Sequence, residues 1–158
     1  MSTRFWLRDS ALVGRDHLRH RPDLRRSGPQ RRADHHACVE LFTGLRLAGR
    51  RLLLPQTVMA EVGYMLEAKV GTFAEVAFLE SVANGSFELV DLTQSDAARI
   101  AELVNRYDDL PLGTTDASVI ALAERHGVGE IATLDHRHFR VVRPSHVESF
   151  TLLPESIS

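Results

Sequence analysis

Two carboxylates between Leu110 and Phe139 are placed where chemistry is commonly done. Asp116 opens the helix expected from TDASVIALAER, and Asp135 closes the apolar run Ile131–Leu134. In an α/β sheet the ends of strands and the starts of helices meet along one edge, and ligands bind there. Two acids delivered to that edge suggest a divalent metal site, and Glu61, distant in sequence, is a candidate third member. Helical geometry sharpens the case for Asp116. At about 100° per residue, Val119, Ile120 and Ala123 fall on its side of the helix, so its carboxylate lies on the apolar stripe. A carboxylate aimed at a core is costly unless paired, hydrogen-bonded or metal-bound.

Each acid also has a plainer explanation. Asp116 would complement the positive end of the helix dipole. Glu61, at the edge of the face formed by Val58, Val62 and Met65, would be a solvated helix acid. Asp135 would make a cap or Asx turn before His136–Phe139. These explanations are independent, whereas a metal accounts for all three. Converging carboxylates suit Mg²⁺ or Mn²⁺, hard cations that prefer oxygen. Phosphodiester hydrolysis needs such a cluster, one metal activating water and another stabilising the leaving oxygen.

The elements that must hold these acids are legible from residue 34 onward. Asp34 can cap a helix carrying Cys38, Leu41, Phe42 and Leu45. Leu52–Leu54 is a short buried strand, followed by a helix to about Val70 with Val58, Val62, Met65 and Leu66 on one face. Gly71 stops it, and Thr72 starts another helix through Phe73, Val76, Leu79 and Val82. Phe87–Val90 is a strand. Thr93 opens a helix holding Ala97, Ile100, Leu103 and Val104. Thr114 or Thr115 caps the helix of Asp116, which His126-Gly127 ends. Ile131–Leu134 and Phe150–Leu153 are the last strands. Strands alternating with helices imply a three-layer αβα domain with a mostly parallel central sheet.

The chain has 158 residues, 44% of them apolar, enough for one core without disulfides. No apolar run approaches the roughly 20 residues that span a bilayer, and the lone Cys38 fits a reducing cytoplasm. The net charge of −2 hides a split. Residues 1–33 carry nine Arg and three Asp, a net of +6, and residues 34–158 carry −8. An acidic domain does not bind polyanions through bulk charge. Metal ions or local Arg and His must offset the repulsion if it handles nucleic acid. The division expected is an Arg-rich segment over 1–33, with a candidate first strand over 4–13, and the main domain over 34–158.

The tract LPLGTTDASVIALAER, then IATLDHRHF, then FTLLP resembles the C-terminal half of PIN-domain ribonucleases, most closely the VapC-type toxins of bacterial toxin–antitoxin pairs. LLPQTVMAEVGY, from Leu53 to Tyr64, resembles that family's second acidic motif, and the likeness covers roughly residues 34–154. The resemblance implies a PIN-like fold and Mg²⁺-dependent (or Mn²⁺-dependent) endonucleolytic cleavage of RNA. It also implies a cognate antitoxin, a homodimer, and Glu61, Asp116 and Asp135 as metal-binding carboxylates. The family's first strand ends in a further metal-binding Asp, and two positions compete for it. Asp9, within FWLRDSALV, matches the local pattern but lies 52 residues before Glu61, further than the usual gap. Asp23 has better spacing in a poorer strand context. With neither in place, the first metal-binding position would be unfilled even if the fold persists.

Other residues are candidates of lower rank. His136, Arg137 and His138 beside Asp135 are expected as RNA-backbone contacts or as a solvated turn. Asp34-His35-His36 with Cys38 lacks a second ligand pair at zinc spacing. Asp108-Asp109 reads as turn chemistry with an accessory metal role open. Three functions therefore compete: a metal-dependent ribonuclease toxin, a PIN-like binding module without catalysis, and a phospho-acceptor signalling domain. The last would need a buried Lys, and the single Lys69 sits at a helix end.

Overall fold

Ser10–Val13 (β1) forms the middle strand of a five-stranded sheet. The computed structural model describes residues 10–14, 40, 43–133 and 135–154. Arg51–Pro55 (β2), Glu88–Val90 (β3), Glu130–Ala132 (β4) and Thr151–Leu153 (β5) complete the sheet in the order β3-β2-β1-β4-β5. All four pairings are parallel, with Leu12 opposite Leu53 on one side and Ile131 on the other. Leu52, Leu53 and Leu54 are buried in succession, so side chains on both faces of β2 are covered. Continuous apolar runs of this kind are what a parallel sheet between two helical layers requires. Because β1 is central, the domain takes in residues well ahead of residue 34. Residues 4–9 of the expected first strand lie outside the described residues.

Five helices are built around this sheet: Gln56–Lys69 (α1), Thr72–Ala83 (α2), Gln94–Arg106 (α3), Thr114–His126 (α4) and Arg137–Val141 (α5). Residues 43–47 are also helical, and Leu45 packs against the core. Cys38, Leu41 and Phe42, expected on the same stripe, lie outside the described residues. Gly71, at φ +117, makes the break between α1 and α2 that residues with a Cβ would resist. Gly127 ends α4 in the left-handed conformation, φ +65, as His126-Gly127 predicts.

Two helices differ from expectation. α4 is capped by Gly113 and not by a threonine side chain, so neither Thr114 nor Thr115 serves. α2 leaves Phe73, Val76 and Leu79 exposed, with Phe73 at 88%, while Phe78 and Val82 pack on the core. The sequence TFAEVAFLESVA is apolar on nearly every side, so periodicity does not choose its buried face.

An ion cluster ties α3, α4 and the segment before β5 together. Arg99 donates from Nε and Nη2 to Glu124 at 2.7 and 3.0 Å and from Nη1 to Glu102 at 2.8 Å. The Ser145 backbone N–H adds a bond to Glu124 at 2.8 Å. Burial alone would raise the Glu124 pKa, but the Arg99 and Ser145 bonds outweigh it and hold the carboxyl below its ordinary value. A carboxyl depressed in the folded state contributes stability above its unfolded pKa and loses it as pH falls through the folded value. The urea midpoint is therefore expected to drop as pH falls below about 4.5. Arg99→Gln is expected to flatten that drop, and an unchanged acid limb in the variant would contradict the assignment.

Candidate metal centre

The order β3-β2-β1-β4-β5 winds outward in one direction from β1 to β3 and in the other from β4 to β5. The cleft beyond the C-terminal ends of β1 and β4, where the winding reverses, is where open parallel sheets bind ligands. Gly14 closes this end of β1, its N–H donating to the Ala132 carbonyl at 2.9 Å. A Cβ at Gly14 would stand 3.0 Å from both Ile131 Cγ2 and Thr133 Cβ, and 3.4 Å from Phe139. Gly14→Ala is accordingly expected to cost about 1–3 kcal/mol through overpacking. A thermal or urea unfolding series checks this, and an unchanged midpoint would contradict the close approach.

Past β4, Thr133 is fully buried and its hydroxyl accepts the Asp135 backbone N–H at 3.1 Å. This turn presents Asp135 at the edge. Its carboxylate takes a two-pronged bond from the Arg137 guanidinium, both at 2.9 Å, and a third from the Arg137 backbone N–H at 3.2 Å. The Asx turn expected of Asp135 is thus present and coexists with its place at the edge. The Arg137 pKa is raised, chiefly by the Asp135 bond, with a smaller contribution from the charge of Asp116.

Asp116 is 3% exposed in the first turn of α4. Its Oδ2 accepts from His138 Nδ1 at 2.6 Å. Comparison with Asp96 shows how unusual this is. Asp96 occupies the third position of α3, as Asp116 does in α4, and is equally buried. Asp96 accepts the Thr93 backbone N–H at 2.8 Å and completes a capping box. Asp116 makes no such bond to Gly113 and pairs instead with His138 of α5. The apolar-stripe placement of Asp116 read from the sequence is met in its burial. Thr57 at the start of α1 donates to Ser118 Oγ at 2.6 Å, and Ser118 donates to the Thr115 carbonyl, which locks the first turns of α1 and α4 together.

Glu61 is half-buried in the second turn of α1. Asp116 and Asp135 share the edge, but among the described residues no three of His, Cys, Asp and Glu form a group that could hold a metal ion. Each of the two edge acids is instead paired with a neighbouring side chain, Asp135 with Arg137 and Asp116 with His138. Asp9, Asp23, Asp34, His35, His36 and Cys38 lie outside the described residues. Asp108 and Asp109 are exposed in a turn.

Of the three residues expected to touch RNA, only Arg137 is exposed. His136 is 5% exposed and donates from Nε2 to the Thr133 carbonyl at 3.0 Å, while its Nδ1 accepts from Arg140 at 3.2 Å. His138 is 6% exposed and engaged by Asp116. Their neighbourhood explains the difference: Phe139, 2% exposed and edge-on to Phe150, anchors α5 and draws both imidazoles inward. The sequence reading missed the Asp116–His138 pair and the Thr57–Ser118 link. A histidine three residues beyond an edge aspartate, facing an aspartate no cap can use, was the available signal.

The donor set suits a hard divalent cation, since its members are carboxylates. His138 takes one oxygen of Asp116, and Oδ1 makes no hydrogen bond among the described residues. Asp135 lies half-buried at the same edge, both its oxygens bonded by the Arg137 guanidinium. The chemistry of these donors suits a cation at this edge, and the two carboxylates alone do not complete its ligand set.

A family model described as the PIN domain matches residues 30–144. Ribonuclease VapC26 of Mycobacterium tuberculosis is 36% identical over 121 residues, which covers 77% of this chain and 87% of that protein. Among solved structures, the crystal structure of Mycobacterium tuberculosis VapC20, described as a Sarcin-Ricin loop cleaving toxin, aligns with a TM-score of 0.51 at 19% identity. That alignment covers 54% of this chain and 65% of the other, and carries the fold alone.

Proposed function

The chain belongs to the PIN-domain family, among its VapC-type ribonucleases, and from that premise we propose that it is a toxin that cleaves RNA with a divalent metal. The observation that carries this is the delivery of Asp116 and Asp135 to the edge where the winding of the sheet reverses. Asp116 and Asp135 would hold Mg²⁺, or Mn²⁺, with Glu61 reaching in from α1 and a further Asp supplied by the N-terminal segment. Asp9 matches that segment's motif. Asp23 has the better spacing to Glu61. The metal supplies an activated water and neutralises the charge developing on the leaving oxygen.

The protein's own groups prepare that step. The buried first turn of α4 fixes Asp116, and the Thr133 hydroxyl fixes the turn that carries Asp135. Arg137, exposed and paired with Asp135, is the cation placed to meet an RNA phosphate. His136 and His138 serve from inside. A cognate antitoxin and a second copy of the chain are the partners this reading expects, and Val70, Phe73, Val76 and Leu79 offer apolar surface to a protein partner. Among the described residues no helix is long and apolar enough to cross a membrane, and the site of action proposed is the cytoplasm.

Purified protein with 5′-labelled RNA tests the proposal. Cleavage is expected with Mg²⁺ or Mn²⁺ and is expected to stop with EDTA. Cleavage that continues in EDTA would overturn the metal assignment. The second reading, a PIN-like binding module without catalysis, is favoured by the separate pairing of Asp116 and Asp135 with basic side chains. It expects partner binding with no cleavage under any metal.

A further inference from the structure

We propose that His138 is a positioning residue for Asp116, holding its carboxylate so that a single oxygen, Oδ1, faces the cation. The inference rests on the metal-site reading above. His138 Nδ1 and Asp116 Oδ2 are 2.6 Å apart, and the side chains are 7% and 5% exposed. At that burial a hydrogen bond to a carboxylate is strong, and its loss leaves a desolvated oxygen unpaired. A carboxylate accepts only, so Nδ1 carries the proton. The bond is the only hydrogen bond of the Asp116 carboxylate among the described residues.

A purely structural role for the pair fits the fold less well. Asp96, buried at the third position of its helix, bonds back to its own cap and also pairs with Arg125 of α4 at 3.2 Å. Asp116 has no cap bond, so His138, 22 positions on, is the one hydrogen-bond partner of its carboxylate among the described residues. That element is itself fixed. His136 is pinned to Thr133 and Arg140, and Phe139 is buried against Phe150, so His138 sits on a segment with little freedom. The four residues Asp135–His138 carry one edge carboxylate at one end and the donor to Asp116 at the other. One rigid turn thus sets the orientation of both edge carboxylates. Donors behind metal-binding carboxylates typically change metal affinity by about 10–100-fold when removed.

Mn²⁺ affinity measured by electron paramagnetic resonance tests the proposal on wild type, Asp116→Asn, His138→Leu and His138→Asn. The amide of Asn places an N–H near the position of Nδ1, whereas Leu places none. His138→Leu is expected to weaken Mn²⁺ binding by about 10–100-fold, and His138→Asn to recover most of that loss. Wild-type affinity in a folded His138→Leu would overturn the proposal while leaving the metal site standing. Wild type without Mn²⁺ binding, or Asp116→Asn with wild-type affinity, would overturn the metal-site reading and this inference with it. Should His138→Leu fail to fold, the imidazole nitrogen signals of wild type in Mg²⁺ decide. The Nδ1–H tautomer is expected, and an Nε2–H tautomer would overturn the proposal.

Discussion

Asp116→Asn is expected to lower the rate of RNA cleavage roughly a thousandfold, equivalent to about 4 kcal/mol in the barrier, while the chain stays folded. Asn keeps the shape of Asp and an oxygen that His138 Nδ1 can still donate to, so the buried contact survives. What is lost is the negative charge that attracts a cation to the site. Single-turnover cleavage at saturating Mg²⁺, paired with far-ultraviolet circular dichroism and a urea midpoint, separates the two effects. A folded variant that cleaves at the wild-type rate would remove Asp116 from the metal site. A variant that unfolds would mean that the charge itself, beyond the hydrogen bond, holds α4 in place.

Ile120→Ala is expected to cost about 2–5 kcal/mol of stability. Ile120 is fully buried, within the run from Asp116 to Ala123 in which every residue is buried. A helix covered on all sides has no solvent face toward which it can relax, so the cavity left by the deletion stays open. Since domains of this size are stable by only about 5–15 kcal/mol, the loss is a large share of the total. Phe73→Ala, at a side chain that is 88% exposed, is expected to stay within about 0.5 kcal/mol. Urea denaturation of both variants makes the comparison, and a loss under about 1 kcal/mol at Ile120 would contradict the packing of α4.

Much of this arrangement could be read in advance because local chemistry enforced it. Thr93 with Asp96 is a capping box, and His126-Gly127 a helix stop, wherever the helix is placed. The alternation of apolar runs led to the parallel sheet because a strand such as Leu52-Leu53-Leu54 can be stable only with both faces covered. The buried side of α2 was not legible, since Phe73, Val76, Phe78, Leu79 and Val82 surround the helix and only the rest of the fold selects among them. The inward turn of His136 and His138 was hidden for a related reason. Adjacent charged and polar residues read as a solvated turn until Phe139 is known to be anchored in the core. The boundary near residue 34 followed composition, and composition cannot reveal that Ser10–Val13 is completed by strands far away.

The central position of β1 also sets a clock. Leu12 pairs with Leu53 on one side, but its other neighbour, Ile131, is made almost 120 residues later. Contacts so distant in sequence close late, because the chain between them must first be ordered. While the polypeptide is being synthesised, β1 can recruit β2 and β3, yet the cleft between β1 and β4 does not exist. The carboxylate edge comes into being only when the last quarter of the protein has been made and has docked. A nascent chain therefore lacks this cleft until its final segment has docked.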